Sequence, residues 1–125
     1  MNLNNFTFNT TSGIRFGSGM SVSSTEEISK ILGSNILFIT DKDLMSLKLT
    51  EPTINELKKF SSKLEIFEDV EADPSLKTLL KSIEIGKKMN ATGIIGFGGG
   101  SSMDVAKLTS LILGSNENIE EAWGV

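Results

Sequence analysis

Apolar residues fall along this chain in two alternating patterns, short unbroken runs and longer stretches spaced by three and four. Ile36-Leu37-Phe38-Ile39 and Gly93-Ile94-Ile95-Gly96-Phe97 are unbroken runs, as expected of strands buried on both faces of a parallel sheet. Leu64-Glu65-Ile66-Phe67 alternates less cleanly and predicts an edge or half-buried strand. Ser24-Thr25-Glu26-Glu27 has capping-box spacing ahead of Ile28, Ile31 and Leu32, which predicts a helix ending near Gly33. A short helical piece is expected around Leu44 to Leu47. A longer helix follows from Pro52, with Thr53 and Glu56 in capping-box spacing and Ile54, Leu57 and Phe60 facing inward. Asp73-Pro74 reads as a cap and first turn before Leu76, Leu79, Leu80 and Ile83, in a helix that runs out near Asn90. Met103 to Leu113 predicts a helix packed into an interior. At the start, Phe6-Thr7-Phe8 and Ile14-Arg15-Phe16 flank Thr10-Thr11-Ser12-Gly13, which predicts an N-terminal β-hairpin.

Alternating strand and helix after residue 20 imply an α/β fold: a Rossmann-like, mostly parallel sheet flanked by helices, with ligand sites at the carboxyl ends of the strands. The chain has 125 residues, the size of one domain, and no internal repeat or linker divides it. Composition leaves that picture intact, since 38% hydrophobic and 22% charged residues are ordinary for a folded protein.

Charge and missing residue types narrow the chemistry. The net charge of -4, with no run of Lys or Arg, argues against nucleic acid as a partner. Nothing resembles a signal peptide or a membrane span, and cysteine is absent, so a cytoplasmic setting is expected. Histidine is absent too. Neither a His-containing metal site nor a Ser-His-Asp triad can be built from these residues, so Ser101 and Ser102 have no histidine base, and no catalytic or metal-ligating residue is assigned.

The strongest chemical signal is GIIGFGGGSSMDVAK, a strand, a glycine cluster and a helix, where bare backbone N–H groups can hold a phosphate. It is neither a Walker motif nor Gly-x-Gly-x-x-Gly. A tight turn needing positive φ, with close helix packing, would account for the same glycines without any ligand. Asp41 ends a strand, where a carboxylate can accept from the hydroxyls of an adenine ribose and repel a 2′-phosphate; it or Asp43 could equally cap the next helix. Asp73 is already explained as a cap. Asp104 is spaced from Ser101 for reciprocal capping, and Lys107 is spaced to neutralise Asp104. Glu117 to Glu121 reads as a solvated helical turn and Trp123 as a contact with chain beyond.

GFGGGSSMDVAK is similar to the Gly-Gly-Gly-Ser-x-x-Asp-x-Ala-Lys signature of the iron-dependent, or group III, alcohol dehydrogenases. Ile14-Arg15-Phe16-Gly17-Ser18-Gly19, Phe38-Ile39-Thr40-Asp41 and Val70-Glu71-Ala72-Asp73-Pro74 extend the resemblance, in order, over essentially the whole chain. It implies that residues 1–125 are a single dinucleotide-binding domain of the dehydroquinate synthase-like superfamily. Within it, Gly99, Gly100, Ser101 and Ser102 would hold a pyrophosphate and Asp41 the adenosine ribose. Asp73 stands where several members carry an asparagine near the cofactor. The implied cofactor is NAD, with NADP also admitted, and the implied substrate is a small alcohol or aldehyde. Iron or zinc would sit in a C-terminal helical domain that this sequence lacks, along with the Pro-Thr-Thr segment completing the nicotinamide site. A homo-oligomer is an expected state. The alternatives are a stand-alone nucleotide-binding or interaction module without catalysis, and a fragment of a related polyol dehydrogenase or dehydroquinate synthase.

Overall fold

The four apolar side chains of Ile36, Leu37, Phe38 and Ile39 are wholly inaccessible to water, which requires cover on both faces of their strand. In the computed structural model, which describes residue 7 and residues 9–115, that cover is complete. Strand β1 (Asn35–Ile39) lies between β2 (Lys63–Phe67) and β3 (Gly93–Gly96), parallel to both, in the order β2-β1-β3. Leu37 and Ile39 point to one face, against Leu79 and Ile83 of α5 (Leu76–Lys88) and Val105 and Ile112 of α6 (Gly100–Ser115). Ile36 and Phe38 point to the other, against Ile54 and Leu57 of α4 (Glu51–Phe60), with Leu32 from the end of α2 (Thr25–Leu32). Phe38 and Phe97 stack with ring centroids 5.4 Å apart. Burying such side chains contributes roughly 1.5–3 kcal/mol each against the entropy of ordering them. The half-buried β2 forms an edge, where Lys63 and Glu65 pair at 3.1 Å and keep that edge charged.

Turn chemistry closes two helices as expected. Gly33 ends α2 at φ 80°, a conformation that favours glycine. Asn90 follows α5 at φ 51°, with its own N–H bonded to Lys87 O and that of Ala91 bonded to Gly86 O, the double closure of a Schellman motif.

Several local expectations fail. Ile14-Arg15-Phe16 forms no strand, and Phe6 and Phe8 of the other arm, like Glu117 to Glu121 and Trp123, lie outside the described residues. Alternation alone provided no burying surface there: Ile14 is 80% exposed and Phe16 fully so. Arg15 instead reaches Glu27 through two hydrogen bonds of 2.5 and 2.6 Å. Ser24 makes no capping bond, because α1 (Met20–Ser23) runs almost directly into α2 and Ser24 itself is helical at φ -92°. At α4 the chain turns helical one residue before Pro52, at Glu51, so Thr53 lies inside the helix, buried and without a hydroxyl partner, instead of capping it.

Helix α5 starts later than Asp73-Pro74 suggests. Ser75 is its cap, accepting from Thr78 N–H at 3.2 Å, and Pro74 precedes it. The deciding group is Glu71, whose carboxylate accepts from Ser75 N–H at 2.8 Å and from the Thr78 hydroxyl at 2.6 Å. Asp73 is left in the left-handed region at φ 54°, outside the helix, a conformation that Asp tolerates better than most side chains.

Candidate functional site

In the order β2-β1-β3 the chain leaves β1 toward α4 on one face of the sheet and leaves β3 into α6 on the other, so the two connections part at the carboxyl ends of β1 and β3. Ligands of open α/β sheets bind in the crevice at such a point. Here the crevice is a cleft of about 770 Å³, lined by the ends of β1 and β3, the start of α6 and the loop after β2. That volume falls in the range of small-molecule and cofactor sites.

Asp41 lies on the β1 side of the cleft. It is held twice: its backbone forms an antiparallel bridge with Asp69, and its Oδ1 accepts from Leu44 N–H at 2.9 Å, capping α3 (Lys42–Ser46). The capping role and the cleft-lining role therefore coexist in one carboxylate. Its Oδ2 lies close to Gly98, 3.3 Å from where a Cβ would stand.

The glycine cluster divides into two kinds. At Gly96 a Cβ would lie 2.8 Å from Ala106 Cβ, so this glycine lets α6 cross close over β3. Gly98 has φ 144°, and its Cβ would lie 3.0 Å from both Leu44 Cδ1 and Ser102 Oγ. Turn and packing thus explain Gly96 and Gly98. They do not explain Gly99 and Gly100, which have ordinary φ values and nothing within 4 Å of an added Cβ, on the wall of an open cleft.

Helix α6 follows at once, with Met103 N–H donating to Gly99 O at 3.1 Å. Among the described residues no acceptor meets the N–H groups of Gly100, Ser101 and Ser102, as geometry dictates for a helix start without a side-chain cap. Ser101 lines the cleft with half-buried side chain, whereas Ser102 is 1% exposed and offers chiefly its backbone. No hydrogen bond joins Asp104 to Ser101 and no ion pair joins it to Lys107; both charged side chains are exposed and stand off the cleft lining.

Five of the six residues singled out from sequence, Asp41, Gly99, Gly100, Ser101 and Ser102, meet in this cleft. Asp73 does not line it, although its neighbours Glu71 and Ala72 do. The loop after β2 also contributes Glu68 and Asp69, and Lys42 comes from α3, none with a local signal in the sequence; Asp43, weighed only as a helix cap, lines the cleft as well. Lys42 is the one cation among the described lining residues, and its Nζ pairs with Asp69 at 3.0 Å, a bond that raises its pKa. Hydrogen bonds from Thr78 and Ser75 hold the Glu71 carboxyl down at about 2. The walls are thus acidic, and an anion could be met only at the helix start, through backbone dipoles. No group of three His, Cys, Asp or Glu side chains among the described residues could hold a metal, and no described helix is long and apolar enough to cross a membrane.

Known proteins resemble this chain in sequence and fold. A choline dehydrogenase of Bacillus subtilis (strain 168) is 33% identical over 101 residues, covering 81% of this chain and 25% of its own. An alcohol dehydrogenase from Oenococcus oeni superposes with a TM-score of 0.84 at 28% identity, over 96% of this chain and 32% of that one. A sulfoacetaldehyde reductase from Bifidobacterium kashiwanohense, solved in complex with NAD+, superposes with a TM-score of 0.73 at 25% identity, over 89% of this chain and 29% of its own. The chain spans between a quarter and a third of the length of these relatives. The family model for iron-containing alcohol dehydrogenases matches residues 11–124, nearly the whole sequence, and to that family this chain belongs.

Proposed function

We propose that the cleft binds a nicotinamide dinucleotide, NAD in preference to NADP, and that residues 1–125 form the N-terminal cofactor-binding domain of a metal-dependent alcohol dehydrogenase. The observation that carries this reading is the pair Gly99 and Gly100, which the protein's own packing leaves unexplained and which a diphosphate lying against the backbone would require. In this reading the free N–H groups of Gly100, Ser101 and Ser102 hold the diphosphate, and Asp41 accepts from the ribose hydroxyls with the carboxylate oxygen that capping leaves over. Asp73, off the cleft lining, takes at most a contact at the rim.

The nicotinamide supplies the hydride chemistry when bound, exchanging hydride with a small alcohol or aldehyde, in keeping with a choline dehydrogenase and a sulfoacetaldehyde reductase among the relatives. This chain positions it. Its residues do not fit a metal, having no histidine and no suitable carboxylate cluster among those described, so iron or zinc is assigned to none of them. A cytoplasmic setting goes with the absence of cysteine, and self-association with the exposure of Ile14 and Phe16.

Calorimetric titration with NAD, NADP and ADP-ribose tests the site. Ser101→Asp sets a carboxylate against the diphosphate and is expected to weaken binding about a hundredfold or more. Unchanged affinity in a folded variant would refute the assignment.

A further inference from the structure

We propose that Asp69 is a specificity residue: by holding the Lys42 ammonium it withholds that cation from a 2′-phosphate, and so reinforces the preference for NAD that Asp41 sets up. The inference rests on the cofactor reading above. With the adenosine ribose at Asp41, the side chain one residue further on is in reach of a 2′-substituent, and a basic group near that carboxylate is the general means of accommodating a 2′-phosphate. Lys42 is such a group and the one cation among the described residues lining the cleft, yet it is engaged elsewhere.

Two features tie it down. The antiparallel bridge between Asp41 and Asp69 fixes the loop after β2 against the end of β1. From that anchor Asp69 Oδ1 meets Lys42 Nζ at 3.0 Å, with Glu68 adding a smaller attraction. The pair is solvent-facing, with side-chain exposures of 70% for Lys42 and 48% for Asp69, so its hold is modest and salt-sensitive. A 2′-phosphate drawing Lys42 away would leave Asp69 unpaired beside Asp41, Asp43 and Glu68, and the added negative charge would worsen that wall. A ligand with a free 2′-hydroxyl disturbs none of this.

The test compares Kd values of ADP-ribose and 2′-phospho-ADP-ribose by calorimetry, since neither ligand requires catalysis. In Asp69→Asn the ratio of the 2′-phosphate Kd to the ADP-ribose Kd should fall roughly three- to tenfold, and the gain should shrink at high salt. Lys42→Met alone should leave the ratio unchanged or raise it. Adding Lys42→Met to Asp69→Asn should abolish the gain. An unchanged ratio in Asp69→Asn, or a gain that survives the second substitution, would overturn the inference while leaving the cofactor reading standing. Failure of the unaltered protein to bind ADP-ribose would overturn both. Circular dichroism checks the fold of each variant, and Asp69→Ser serves if the asparagine form is unstable.

Discussion

Replacing Gly100 and Gly98 with alanine, one at a time, separates the requirements of the fold from those of the ligand. At Gly100 the first residue of α6 has ordinary helical φ, and an added Cβ has nothing within 4 Å. Alanine there relieves the entropy of a helical glycine and should stabilise the protein by up to about 0.5–1 kcal/mol. Side chains in a helix tilt toward its N-terminus, so the new methyl would project into the space where a diphosphate must sit for its oxygens to reach the N–H groups. Crowding of that kind costs about 1–3 kcal/mol, a loss of roughly 5- to 150-fold in affinity. At Gly98 the balance reverses. Its φ of 144° is essentially reserved for glycine, and the methyl would press at 3.0 Å on Leu44 Cδ1 and Ser102 Oγ. Strain of about 1–3 kcal/mol is expected there, lowering Tm by about 3–6 °C for each kcal/mol. Urea titration gives the stabilities and calorimetry with ADP-ribose the affinities. A Gly100→Ala protein that binds like the parent, or that is destabilised as much as Gly98→Ala, would refute the division.

Two further consequences concern stability. Because the folded pKa of Glu71, about 2, lies below its ordinary value of 4.5, its stabilisation is present above about pH 4.5 and lost as pH falls toward 2. The gap in stability between the parent and Glu71→Gln should therefore close across that window, and a gap constant from neutral to strongly acid pH would contradict the role of its hydrogen bonds. Between α5 and α6, Ser82 Oγ and Thr109 Oγ1 share a buried hydrogen bond of 2.6 Å, and Ser82 also donates to Leu79 O at 2.8 Å. Ser82→Ala should cost about 1–3 kcal/mol by stranding the Thr109 hydroxyl, and Thr109→Val added to it should cost less than the sum of the two single changes. Strict additivity in urea denaturation would show that the pair is not coupled.

What was legible in this sequence was what a single local signal decides. The run Ile36 to Ile39 could satisfy itself only as a strand covered on both faces, and Gly33 and Asn90 mark helix ends through their own conformational freedom. The start of α5 was misplaced because Asp73-Pro74 and Ser75 offer two caps in succession, and the choice falls to a third party, the Glu71 carboxylate reaching forward to Ser75 and Thr78. The same distinction runs through the site. A strand entering a glycine cluster announces an anion-binding helix start, but GFGGG looks alike at each glycine. Only the positions of Ala106, Leu44 and Ser102 show that Gly96 and Gly98 serve the fold, whereas packing leaves Gly99 and Gly100 unexplained. Asp41 was readable as cap or as ribose contact, and the structure gives it the cap while leaving its second oxygen beside the cleft. Lys42 and Asp69 carried no signal, since their pairing depends on β2 lying beside β1 in register. Recognition of the diphosphate, in the proposed reading, is written locally, in one loop and one helix start. Discrimination at the 2′ position, as proposed, draws on residues beyond the ends of two strands, so that it would change by substitution at Asp69 without any mark on the glycine motif.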